Sequence, residues 1–164
     1  MEFDNIDRKI IGILQLDATR SIQDIADLVG LSNNPCWRRI KRLEESGVIE
    51  RRVALINPQV IGLGITSFVS IRIDSHNASW LENFASAIEQ VAEVVECHRM
   101  TGDVDYLLKV IVRDLEHYDA VYQNLIKRVP GLTDVSSTFS MEQLKQGAVI
   151  DVATAAPVSS NKKG

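Results

Sequence analysis

The chain has 164 residues, 45% of them hydrophobic and 24% charged, with a formal net charge of −4; this composition fits one ordinary globular domain or two small ones. No apolar run approaches the roughly 20 residues that span a bilayer, and the opening Met1-Glu2-Phe3-Asp4 lacks the basic region and apolar core of a signal peptide, so the expected location is the cytoplasm, with no membrane partner. Cys36 and Cys97 lie far apart inside apparently regular elements, which points away from a disulfide framework or a CxxC metal site and leaves no metal or cofactor expected.

Asp4 or Asn5 is placed to cap a first helix whose apolar residues Ile6, Ile10, Ile13 and Leu14 recur at the three-and-four spacing of a buried stripe and which ends near Leu16. After a polar link, Ser21 and Asp24 have the spacing of a capping box for a short second helix with Ile25, Ala26 and Val29 on its apolar face, stopped at Gly30. Gly30 and Leu31 are then all that separate it from Ser32, the expected cap of a third helix over about Asn33 to Ser46, with Pro35 tolerated in the first turn and Gly47 at the left-handed stop. A link this short makes the pair a helix-turn-helix.

Wound at about 100° per residue, the third helix gathers Cys36, Ile40 and Leu43 on one face and Asn34, Arg38, Lys41 and Arg42 on the opposite one, with Trp37 and Arg39 on the flanks. Residues 1 to 60 carry nine Lys/Arg against nine Asp/Glu, but residues 38 to 52 carry six against three, a local excess able to neutralise phosphates although the whole chain is acidic. Val48 to Ile56 is a β-branched run interrupted by Arg51 and Arg52, read as a two-stranded wing or a single strand. The expected double-stranded DNA contacts are Asn34, Arg38, Lys41 and Arg42 in the groove, Ser32 and Arg39 near phosphates, Arg51 and Arg52 on the wing, and Trp37 beside them.

Past Gly62 the pattern becomes strand Ile65 to Ile73, polar link Ser75 to Ser79, helix Trp80 to Val91, strand Val94 to Thr101, turn Gly102 to Val104, strand Tyr106 to Val112, helix Asp114 to Val129 and strand Val135 to Met141. This order defines a ferredoxin-like βαββαβ domain, so the fold class is α+β with an N-terminal winged helix-turn-helix. Apolar residues on both faces of Leu107 to Val112 leave a second sheet face for a partner copy to cover, so a homo-oligomer, at least a dimer, is expected. The domains are expected at 1–60 and 61–152, with a disordered tail at 153–164.

Two other functions are weighed. Catalysis would need Cys97-His98, but strand neighbours point to opposite faces, so the chain is read as no enzyme. A metabolite-binding ferredoxin-like module without DNA is the alternative, and it would have no need of the basic helix face.

The architecture resembles the Lrp/AsnC (feast/famine) family of transcriptional regulators. The resemblance rests on Asp7-Arg8-Lys9-Ile10 with Leu14-Gln15, on Leu31-Ser32, Arg38-Arg39-Ile40, Leu43-Glu44 and Gly47-Val48-Ile49, on the run Thr101-Gly102-Asp103-Val104-Asp105-Tyr106-Leu107-Leu108, and on Pro130-Gly131-Leu132. It implies sequence-specific transcriptional regulation by a small-molecule effector, an amino acid, and assembly beyond dimers into tetramers or octamers. Pro35-Cys36-Trp37, together with Gly102-Asp103 and Met141-Glu142-Gln143, is similar to a subgroup regulating cysteine detoxification and makes L-cysteine one candidate effector. The resemblance places the effector at Thr101, Gly102, Asp103, Asp105 and Tyr106, with Ser136 and Thr138 of a neighbouring subunit. Gly102 lets backbone N–H groups approach a carboxylate, and an aspartate can pair with an α-ammonium group.

Overall fold

The computed structural model describes residues 4–74, 78–129, 131–145, 147, 149–153 and 155. The chain divides into two compact units, 1–54 with 145–164, and 55–144. The sequence reading carried the second domain through 152, whereas residues 145–152 group with the first unit.

The first unit holds α1 (Asn5–Leu16), α2 (Ile22–Val29) and α3 (Asn33–Glu45). Two capping boxes set its start points: the Asp4 side chain accepts from the Asp7 N–H, the Ser21 side chain accepts from the Asp24 N–H, and in each case the aspartate returns a bond to the cap. Gly30 closes α2 at φ 73°, a conformation with almost no cost only for glycine. Around the resulting turn Ile10, Ile25, Ala26, Cys36, Ile40 and Leu43 are all but fully buried, so every helix gives one face to a common core. Helix α3 ends in a Schellman motif, with Val48 N–H donating to Leu43 C=O and Gly47 N–H to Glu44 C=O, both at 3.0 Å.

The end of the chain docks on this unit. The Arg8 guanidinium donates to the carbonyls of Val152 at 2.5 Å and Ala155 at 2.7 Å. Ala153 and Ala155, expected to be disordered, are therefore beside a helix; Thr154 and residues 156–164 lie outside the described residues. The wing expectation also changes: residues 50–57 form no strand. A strand needs a neighbour for its N–H and C=O groups, and no described segment of this chain pairs with that run.

The second unit is a four-stranded antiparallel sheet in the order β2-β3-β1-β4, from β1 (Ile65–Ile73), β2 (Val94–Arg99), β3 (Tyr106–Val112) and β4 (Leu132–Phe139). Helices α4 (Ala78–Glu89) and α5 (Leu115–Arg128) complete the split βαβ pattern. Strand β4 begins three residues before the expected Val135 and stops at Phe139, while β2 stops at Arg99 rather than Thr101. Ser75 to Asn77 of the expected link, and Pro130, lie outside the described residues. Val69, Ile71, Leu108, Val110 and Val112 form the core with Phe84, Ile88, Val121 and Leu125 of the helices. On β3, Leu107, Lys109 and Ile111 alternate with that buried set and stay partly exposed, and Phe68 beside them is 39% exposed.

Candidate DNA-binding face and effector hairpin

Ser32 holds the cap position of α3 but makes no side-chain cap bond. The reason is in the sequence: the third residue of the helix is Pro35, which has no N–H to give, so the partner a serine cap ordinarily finds there is missing. The expected cap is thus positional only. The Ser32 hydroxyl stays exposed beside the unsatisfied N–H groups of a helix start, which carry partial positive charge.

The expected cationic face divides. Arg38 and Asn34 are exposed, and neither side chain has an ion pair or hydrogen bond among the described residues. Trp37 is 49% exposed and falls in the same outward arc at about 100° per residue. Lys41 pairs with Glu44 at 3.0 Å, and Arg52 pairs with the other oxygen of the same carboxylate at 2.9 Å. The Lys41 hydrogen bond is the main cause that lowers the Glu44 pKa below its ordinary value. Arg51 is exposed and unpaired among the described residues.

Arg42 and Arg39 behave otherwise. Asp7 is fully buried on the apolar stripe of α1, where an ionised carboxylate is tolerated only if paired. Arg39 Nη1 donates to its Oδ1 at 2.8 Å, Arg42 Nη2 donates to its Oδ2 at 2.5 Å, and Arg39 Nη1 also reaches Asp4 Oδ2 at 2.6 Å. Arg42, expected in the groove, and Arg39, expected near phosphates, are instead held toward α1. Sequence reasoning missed Asp7, though a signal existed: it sits at i, i+3, i+4, i+7 with Ile10, Ile11 and Leu14, an ionisable residue on a buried face.

In the second unit the turn between β2 and β3 presents Thr101, Gly102 and Asp103 to solvent, with Gly102 at φ 102°. Asp103 has no side-chain partner among the described residues. Asp105, one of the two aspartates offered for an α-ammonium group, works as a structural tie: its Oδ2 accepts the Ile73 N–H at 2.9 Å and its N–H donates to the Ile71 carbonyl at 2.9 Å. Tyr106 is 4% exposed, lies against Phe84 with ring centroids 4.4 Å apart, and keeps a buried hydroxyl without a hydrogen-bond partner among the described residues. Burial raises its pKa. Ser136 and Thr138 are exposed on β4 and pair across from Ser70 and Phe68, so β1 stands between them and β3. That is about 10 Å at ordinary strand spacing, on the face opposite Tyr106, and one chain does not bring the two groups together.

Cys97 and His98 pair with Leu108 and Leu107 and point to opposite faces. Desolvation raises the Cys36 and Cys97 thiols above their ordinary value, and His98 lies 3.4 Å from Glu96. No three His, Cys, Asp or Glu side chains among the described residues are grouped to hold a metal ion, and no helix among them is long and apolar enough to cross a membrane.

Residues 3–50 match a winged helix-turn-helix DNA-binding model, and residues 66–150 match the Lrp/AsnC ligand binding domain. The chain is 48% identical over 149 residues to the glutamate uptake regulatory protein of Zymomonas mobilis, covering 91% of this chain and 90% of that one. It is 46% identical over 142 residues to the DNA-binding transcriptional activator DecR of Escherichia coli, covering 87% and 93%. A crystal structure of a transcriptional regulator from Neisseria meningitidis in complex with L-Met superposes with a TM-score of 0.86 at 28% identity, covering 92% and 97%.

Proposed function

We propose, from the premise that this chain belongs to the Lrp/AsnC family of effector-responsive, DNA-binding transcriptional regulators, that α3 reads double-stranded DNA through Asn34, Trp37, Arg38 and Lys41. Ser32, Arg51 and Arg52 contact the flanking phosphates. The observation that carries this reading is that the exposed Arg38 and Asn34 side chains have no partner among the described residues, on a helix pinned from behind by Cys36, Ile40 and Leu43. Arginine reads guanine and asparagine reads adenine with paired hydrogen bonds. Selecting bound fragments from random or genomic DNA tests the assignment: an enriched motif with two half-sites supports it, and recovery of no preferred sequence opposes it.

The effector is an amino acid bound at the β2–β3 hairpin. The exposed Gly102 turn offers backbone N–H groups to its carboxylate, Asp103 can pair with its α-ammonium group, and the buried Tyr106 hydroxyl, without a hydrogen-bond partner among the described residues, can donate to it. Ser136 and Thr138 complete the site from a neighbouring subunit, which makes the effector a reporter of assembly into dimers and then tetramers or octamers. L-Cysteine is the amino acid to test first because Pro35-Cys36-Trp37, Gly102-Asp103 and Met141-Glu142-Gln143 together are similar to the subgroup that regulates cysteine detoxification, with L-glutamate and L-methionine as comparators given the names of the relatives. Calorimetric titration with each amino acid decides among them; no heat from any would oppose the site. Acting on DNA, the protein works in the cytoplasm, as a regulator and not an enzyme.

A further inference from the structure

Two arginines of α3 share one buried carboxylate. Asp7 is 1% exposed in its side chain, while its partners Arg39 and Arg42 are 26% and 48% exposed. Both carboxylate oxygens are occupied, Oδ1 by Arg39 and Oδ2 by Arg42 and by the Asp4 N–H at 3.2 Å. Asp4 holds Arg39 from a second side at 2.6 Å. Two guanidiniums on α3 therefore face two carboxylates at the start of α1, and the cluster is neutral.

We propose that Asp7 is a positioning residue for DNA recognition. It fixes the rotation of α3 about its axis and withholds the Arg42 charge from the phosphates, so that sequence is read by Asn34, Trp37, Arg38 and Lys41 rather than diluted by unspecific cationic contacts. The inference rests on the DNA-reading face proposed above. Phosphate contacts carry affinity without sequence information, whereas base contacts carry the discrimination. Holding a guanidinium back from the backbone trades unspecific affinity for specificity.

The test uses the full-length protein and two duplexes of equal length, one carrying the motif the wild type selects and one of random sequence, with affinity followed against salt. Neutralising the carboxylate with Asp7→Asn frees Arg42, while Asp4 still holds Arg39. The plot of log affinity against log salt steepens by about one, the contribution of one added phosphate contact, random-duplex affinity rises, and the selected-to-random ratio falls. Arg42→Gln alone leaves the wild-type slope unchanged, and Asp7→Asn with Arg42→Gln returns to it. An unchanged slope for folded Asp7→Asn, or a slope shallower by about one for Arg42→Gln, overturns the proposal. If Asp7→Asn does not fold, Arg42→Gln, which keeps Asp7 paired to Arg39, decides it alone. Wild-type protein that binds neither duplex overturns the DNA reading and the proposal together; DNA binding with the wrong slopes overturns the proposal only.

Discussion

Gln15 meets the backbone of Ile150 with both ends of its amide: Nε2 donates to the carbonyl at 3.1 Å and Oε1 accepts the N–H at 2.7 Å. One side chain thus imitates a strand neighbour and fastens the returning end of the chain to α1, beside Leu16 and Leu28, which are 78% and 56% exposed. Solvent-exposed bonds of this kind are worth about 0.5–1 kcal/mol each. Gln15→Ala should lower urea stability of the first unit by about 1 kcal/mol and speed hydrogen exchange at the Ile150 amide; unchanged exchange there would contradict the docking.

Two serines at helix starts should respond oppositely. Ser21 accepts from Asp24, so Ser21→Ala should cost about 1 kcal/mol of stability. Ser32 makes no cap bond because Pro35 has no proton to offer. Ser32→Ala should leave thermal unfolding nearly unchanged and weaken DNA binding through a lost phosphate contact.

The effector hairpin separates ligand chemistry from scaffolding. Asp105→Asn weakens the tie to Ile73 and should loosen the turn, detectable as faster exchange at the Ile73 amide. Tyr106→Phe removes a buried hydroxyl that has no partner among the described residues, so stability should hold or rise slightly while affinity for the effector falls. Calorimetry and thermal unfolding on the same variant check both halves.

Acid should destabilise the protein through paired carboxylates. Asp4 lies below its ordinary 3.8, chiefly through the Asp7 N–H, and Glu44 and Glu96 lie below their ordinary 4.5, chiefly through Lys41 and Lys109. A depressed folded pKa contributes stability that is present above the ordinary value and lost as pH falls through the folded value. Urea midpoints should therefore be flat near neutrality and fall as pH drops below about 4.5. Glu44→Gln should flatten part of that fall.

Element type and order were legible because hydrophobic period and punctuation agreed: Asp4, Ser21, Gly30 and Gly47 each sit where a helix begins or ends. Partnership was less legible. The helical wheel could assign Arg42 a direction but not a neighbour, since Asp7 is 35 residues away in sequence and 2.5 Å away in space. The same distance problem hid the docking of Ile150, Val152 and Ala155 on α1, since their partners Gln15 and Arg8 lie 135 to 147 residues earlier in the chain. The wing run Val48 to Ile56 was judged on β propensity, but propensity describes a surface that fits a neighbouring strand, and no described segment of this chain supplies one. At the effector hairpin, Asp103 and Asp105 look alike in sequence, and backbone bonds to Ile71 and Ile73 are what set them apart.

If the outward arc of α3 reads DNA, Arg38 is the residue whose loss should show it, because it has no partner among the described residues to lose. Titrating the selected operator with wild type and Arg38→Ala at one moderate salt concentration should show binding about 10- to 100-fold weaker for the variant, the scale of a lost paired contact to a base. Its unfolding temperature should not move. Equal affinity for that operator would mean that Arg38 does not read its bases.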